Sequence, residues 1–176
     1  LLGKFRTTHL VFAVMTASRS AARSLNWLFS GQETGTGFAP FASILRDPET
    51  YEQFETVIAV EGCRQAAELE FATRVVTDVR RHEYLGAVAA DKLRYYAAVT
   101  RKAFHHQGRI TDLLATGKLY ADQGVDPLDR AGDRVMMCGN PQMLAELKAL
   151  VLAKGFTEGS SGTPGESVVE KAFVEK

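Results

Sequence analysis

The chain has 176 residues and a mass of 19.3 kDa, the size of one domain with room for a short appendage. Its residues are 45% hydrophobic, 24% charged and 9% aromatic, an ordinary globular balance that excludes disorder as a global description. Twenty-one basic residues face twenty-one acidic ones, so no overall field draws the chain to nucleic acid or to a membrane surface.

Cys63 and Cys138 stand far apart and belong to no CxxC pair. They read as free thiols in a reducing cytoplasm, with a lone disulfide as the alternative. No apolar run reaches the roughly 18 residues of a membrane helix. The short run Leu10 to Met15 is followed by Arg19 and Arg23 rather than by a cleavage site, which excludes signal-peptide architecture. The expectation is a cytoplasmic monomer with no membrane and no nucleic-acid partner.

Residues 1–24 are rich in Arg, Ser, Thr and Ala, show no sustained period, and are assigned to no element. Leu25 to Phe29 reads as a first strand, followed by Gly31 and the Gly35-Thr36-Gly37 turn. Phe38 to Leu45 has helical character, with Phe38, Phe41 or Ala42, and Leu45 on one side and Asp47-Pro48 at its end. Phe54 to Val60 is β-branched and nearly all apolar, as in a strand buried on both faces.

Arg64 to Arg81 carries Leu69, Ala72, Val75 or Val76, and Val79 at helical spacing. Lys92 to Val99 reads as a third strand and Thr111 to Tyr120 as a short helix. Arg134 to Cys138 is a fourth apolar strand. Asn140 can cap the helix after it, Pro141 fits the first helical position, and Gly155 can close the end. Leu144, Leu147 and Val151 form its inner stripe. Ser167 to Val174 is a last strand, reached through a polar, Gly-rich loop.

Buried strands alternating with helices predict an α/β fold: a three-layer parallel sheet of about five strands with helices on both faces. In such sheets ligands bind beyond the carboxyl ends of the strands. The motifs that could carry chemistry all follow predicted strands. Thr34-Gly35-Thr36-Gly37 lets backbone approach a pyrophosphate at a helix start, although Pro40 replaces the third glycine of the GxGxxG fingerprint. A tight turn without a ligand is the competing reading. Arg64, Arg101 and Arg109 follow the second and third strands, where planar guanidinium groups could grip phosphate, with Thr100 adding a hydroxyl. Taken singly, each arginine reads first as a solvated surface charge. Cys138 reads as a small buried hydrophobe or as a neighbour of a bound ring.

From Thr34 to Lys176 the sequence resembles the NADP-binding half of bacterial ferredoxin (flavodoxin)–NADP+ reductases, of the plant-type reductase superfamily. The resemblance rests on TGTGFAPFASILRDPETYE at 34–52, GCRQAAEL at 62–69, RYYAAVTRKAF at 94–104, GRITDLLATGKL at 108–119, MCGNPQMLAELKAL at 137–150 and VVEKAFVEK at 168–176. It implies a ferredoxin-reductase-type NADP-binding domain over residues 25–176. Gly35, Thr36, Gly37 and Pro40 would hold the pyrophosphate and nicotinamide end of NADP(H). Arg64, Thr100, Arg101 and Arg109 would hold the adenosine 2′-phosphate region. Cys138 and Gly139 would lie near the nicotinamide, and Ala172 and Phe173 would pack against FAD with Ala172 facing the isoalloxazine. Cys138 and Ala172 are thereby placed at the reacting centre. Hydride would pass between nicotinamide and flavin, and electrons onward to ferredoxin or flavodoxin.

The sequence departs from that pattern in several places. The antiparallel barrel that binds FAD in the family, with its RxYS-type motif, is not found in these residues, and residues 1–24 do not resemble what precedes the domain. The alternative function is therefore a non-catalytic nucleotide-binding fragment or module that needs a separate flavin domain. Glu33 stands where a small residue is usual. Glu61 is expected to end the second strand, where its carboxylate would accept a ribose hydroxyl and oppose a 2′-phosphate, softening the preference for NADP over NAD. His82, His105 and His106 read as exposed loop residues, since nothing completes a metal-ligand set.

Overall fold

The structure, a computed structural model, describes residues 25–31, 38–160 and 162–170. Five strands form one parallel sheet: β1 (Leu25–Gly31), β2 (Thr56–Cys63), β3 (Leu93–Val99), β4 (Arg134–Gly139) and β5 (Ser167–Glu170), in spatial order β3-β2-β1-β4-β5. The chain winds outward from β1 to β3, then returns to the far side of β1 for β4 and β5. The reversal falls between β1 and β4, and in sheets of this kind ligands bind at the carboxyl ends near such a switch point.

Period-two alternation sorts the strand residues into two cores. Val57 and Ala59 of β2 join Met136 and Cys138 of β4 in one cluster, against α1 (Ala39–Leu45), α2 (Pro48–Gln53), α3 (Glu70–Arg81) and α4 (Gly86–Lys92). Ile58 and Val60 join Val135 and Met137 in the other, against α5 (Ile110–Ala115), α6 (Lys118–Gln123) and α7 (Pro141–Ala153). Val57, Ile58, Ala59 and Val60 are all fully buried, which explains a strand without polar alternation.

On α3 the predicted stripe of Ala72, Val75, Val76 and Val79 is buried, each valine contributing about 1.5–3 kcal/mol by leaving water. At α7 the side chain of Asn140 accepts from Met143 N at 3.0 Å, Pro141 begins the helix, and Gly155 follows its end at φ +85°. Leu147 and Val151 are buried, with Leu144 partly buried beside them.

Other elements differ from the expectation. Asp47-Pro48 ends α1 but also starts α2: Asp47 Oδ1 accepts from Glu49 N at 2.9 Å and caps a helix that Pro48 opens. The short, alanine-rich α4 was not anticipated. The helix expected over Thr111 to Tyr120 is two helices, α5 and α6, because Gly117 takes a left-handed conformation at φ +78° between them. A 3₁₀ turn at Ala66–Leu69 precedes α3. β2 runs on to Cys63 rather than stopping near Val60. Among the described residues, no helix is long and apolar enough to cross a membrane.

Candidate nucleotide-binding site

Two rows of residues cross the carboxyl edge of the sheet in register. The first is Ala97, Glu61, Ser30, Cys138 and Glu170; the second, one step further out, is Ala98, Gly62, Gly31 and Gly139. Three adjacent strands thus carry glycine in this row, the last residue of β1 and of β4 and the next-to-last of β2, which leaves the centre of the edge without side chains. A Cβ placed at Gly62 would come 2.6 Å from Ile110 Cγ1, so the glycine is what lets the first residue of α5 lie against β2.

The loops beyond β2 and β3 are tied together. Thr100 N donates to Cys63 O at 3.0 Å and Arg101 N to Arg64 O at 3.1 Å, which prolongs the ladder past both strand ends. The chain from 100 to 109 then doubles back: Val99 N donates to His106 O at 3.0 Å, and Gly108 N to Val99 O at 3.1 Å. Gly108 has φ +132°, a conformation that side chains disfavour, and it delivers Arg109 to the start of α5.

These ties create a cleft of about 260 Å³ whose wall includes Arg64, Thr100, Arg109, Thr111, Asn140 and Gln142. It is framed by the ends of β2 and β3 and by the first turns of α5 and α7. Arg64, Thr100 and Arg109, singled out from the sequence, meet here. Arg101 is exposed and is not among the lining residues. Arg109 Nη2 donates to Glu146 Oε2 of α7 at 2.6 Å, and this contact foremost holds the Glu146 carboxyl below its usual range. The sequence reading did not anticipate Glu146.

Cys138 is only 1% exposed and points to the α1 face, away from this cleft. Burial, then the Glu170 carboxylate, pushes its thiol up to about 11. Both cysteines are free thiols. Gly139 closes β4 on the glycine row, and Pro40 lies in the first turn of α1. Gly35, Thr36, Gly37, Glu33, Ala172 and Phe173 lie outside the described residues.

Two expectations are corrected. Glu61 does not end β2, which continues to Cys63, and it does not line the cleft. Alternation turns it to the face opposite Ile110, where it is 4% exposed and accepts from Tyr95 Oη at 2.5 Å. Burial there pushes its carboxyl up to about 7. His106 is not a bland exposed residue. Its ring stacks on Tyr96 with centroids 4.0 Å apart, and Nδ1 lies 3.3 Å from Asp122 Oδ2. Asp122 also accepts from Tyr96 Oη at 2.8 Å and from Lys118 Nζ at 2.7 Å. Asp122 thus pins the loop that carries Thr100 and Arg109, a role that no linear spacing announced.

A parallel sheet with a winding reversal, a bare glycine edge and basic side chains at its strand ends belongs to the class of nucleotide-binding α/β domains. Residues 33–148 match the family described as the oxidoreductase NAD-binding domain, and the chain belongs to that family. It is 45% identical over 174 residues to ferredoxin–NADP reductase A of Sorangium cellulosum, covering 99% of this chain and 60% of that protein. The leading residues 1–24 therefore fall almost wholly within an aligned span. Identity to the ferredoxin–NADP reductase of Pseudomonas aeruginosa is 46% over 144 residues, 81% of this chain and 56% of the relative. A crystal structure of a ferredoxin NADP+ reductase from Neisseria gonorrhoeae, with bound FAD and NADP, superposes with a TM-score of 0.68 at 28% identity. That match covers 86% of this chain and 56% of the other. The chain spans between half and three-fifths of the length of these relatives.

Proposed function

We propose that residues 25–176 are the NADP(H)-binding part of a ferredoxin (flavodoxin)–NADP+ reductase, a three-layer domain of the ferredoxin-reductase type working in the cytoplasm. The convergence of Arg64, Thr100 and Arg109 on one cleft carries this reading. The names of the similar proteins support it.

The donor set fits a phosphate. Two guanidinium groups, Arg64 just past the end of β2 and Arg109 at the start of α5, match the charge of a 2′-phosphate, while Thr100, whose hydroxyl donates to Cys63 O at 3.3 Å, can turn its proton to a phosphate oxygen. Adenosine phosphate held there leaves the rest of the nucleotide to cross the glycine row toward Gly139. Backbone without side chains at Gly62, Gly31 and Gly139 permits close approach along that path. Gly35, Thr36, Gly37 and Pro40 are assigned to the pyrophosphate, and Cys138 with Gly139 to the nicotinamide end. A buried, protonated Cys138 thiol would pack beside the ring and exclude water rather than act as a nucleophile. FAD, when bound, supplies hydride exchange with the nicotinamide and single-electron transfer to ferredoxin or flavodoxin. Ala172 and Phe173 are assigned to one face of the flavin, and the remainder of its surface to the family's barrel domain rather than to this one.

Calorimetric titration with NADP+ and NAD+ tests the reading. Each charged hydrogen bond to phosphate is worth roughly 1.5–3 kcal/mol, so Arg109→Ala should weaken NADP+ binding far more than NAD+ binding. Equal losses for the two would place the 2′-phosphate elsewhere.

A further inference from the structure

Arg109 reaches along the cleft wall to α7, where Nη2 donates to Glu146 Oε2 at 2.6 Å. Gln142, one turn earlier on α7 and part of the same wall, donates to the other oxygen, Oε1, at 3.3 Å. A carboxylate offers a guanidinium the same paired acceptor oxygens as a phosphate does. We propose that Glu146 is a specificity-determining residue: it engages Arg109 as an internal stand-in for phosphate, so a 2′-phosphorylated nucleotide must compete with it. This rests on the reading of the cleft as a 2′-phosphate site.

The direction of the effect follows from charge. Arg109 has N–H groups besides the one given to Glu146, so a phosphate can take another edge of the guanidinium or displace the carboxylate. In the first case a dianion sits close to a fixed negative charge; in the second the existing ion pair is broken. Both oppose binding. Any benefit from holding Arg109 in place is small, because the two side chains are 48% and 33% exposed and such pairs fix little. Nucleotides without a 2′-phosphate do not need Arg109 and escape the competition. Glu146 thus narrows the preference for NADP over NAD, the role that the sequence alone assigned to Glu61.

Equilibrium titration of the chain with 2′,5′-ADP and with 5′-AMP isolates the phosphate. Glu146→Gln should tighten 2′,5′-ADP roughly twofold to fivefold and leave 5′-AMP unchanged within error. Glu146→Ala should act in the same direction, and Arg109→Ala should abolish the gain in the double variant. If Arg109→Ala weakens 2′,5′-ADP while both Glu146 variants bind it no better than the parent, the competition is overturned and the 2′-phosphate site stands. Equal gains for both probes would also overturn it, as a general charge effect. If Arg109→Ala leaves 2′,5′-ADP binding unchanged, the site reading fails and the competition with it.

Discussion

Gly62 and Ile110 share one space: a Cβ on the glycine would lie 2.6 Å from Ile110 Cγ1, and no rearrangement of a distant side-chain tip could relieve it. The contact couples the edge of β2 to the start of α5, where Arg109 is the N-cap residue. Gly62→Ala should therefore cost about 1–3 kcal/mol of stability by overpacking and weaken NADP+ binding by moving Arg109. Adding Ile110→Ala makes room, so the two changes should be strongly non-additive in urea unfolding. Strict additivity would mean that α5 is not seated by this contact.

The Glu61 carboxyl, buried against Tyr95, gives a second prediction. Its native value of about 7 lies above the ordinary 4.5, so between those pH values the folded chain holds a proton that the unfolded chain releases. Its contribution to stability is thus most favourable below pH 4.5 and is lost as pH rises through 7, by about 3 kcal/mol at most. Glu61→Gln should remove that loss and gain on the parent between pH 5 and pH 8. The NADP-to-NAD affinity ratio should not move, because Glu61 does not reach the cleft. A parallel pH profile for parent and variant would contradict the burial.

Asp122 anchors the return of the loop from 100 to 109 through His106. Asp122→Ala removes acceptors for Tyr96 and His106 and should cost about 1 kcal/mol, typical of lost hydrogen bonds. The more telling readout is amide exchange at Val99 and Gly108, whose N–H groups close the doubled-back loop. Protection should fall there and stay unchanged in α3. Unaltered protection at Val99 and Gly108 would remove Asp122 from the positioning of the site.

What the sequence made legible was local. The run around Ile58, the valine stripe of α3, and the Asn140, Pro141 and Gly155 signals of α7 each depend on neighbours within a few positions, and each appears in the structure. Burial of both sheet faces followed from strands with no polar alternation. The side on which Glu61 falls did not follow, since ending β2 a few residues early hides the alternation that separates Glu61 from Gly62. The break between α5 and α6 was masked because Leu113, Leu114, Leu119 and Tyr120 are buried on both sides of Gly117. Arg109 with Glu146 depends on how the sheet brings α5 and α7 together, and His106 with Asp122 on how the loop after β3 folds back onto α6. Nothing local encodes that.

Backbone amide shifts of the isotope-labelled chain during titration with NADP+ test the central claim most directly. The account predicts that the amides of Gly62, Arg64, Thr100 and Arg109 move together and saturate at one affinity. It also predicts that NAD+ reproduces the Gly62 shift but only a small part of the Arg109 shift. A saturating titration that leaves these strand-end amides in place, or moves those at the opposite edge of the sheet, would contradict it.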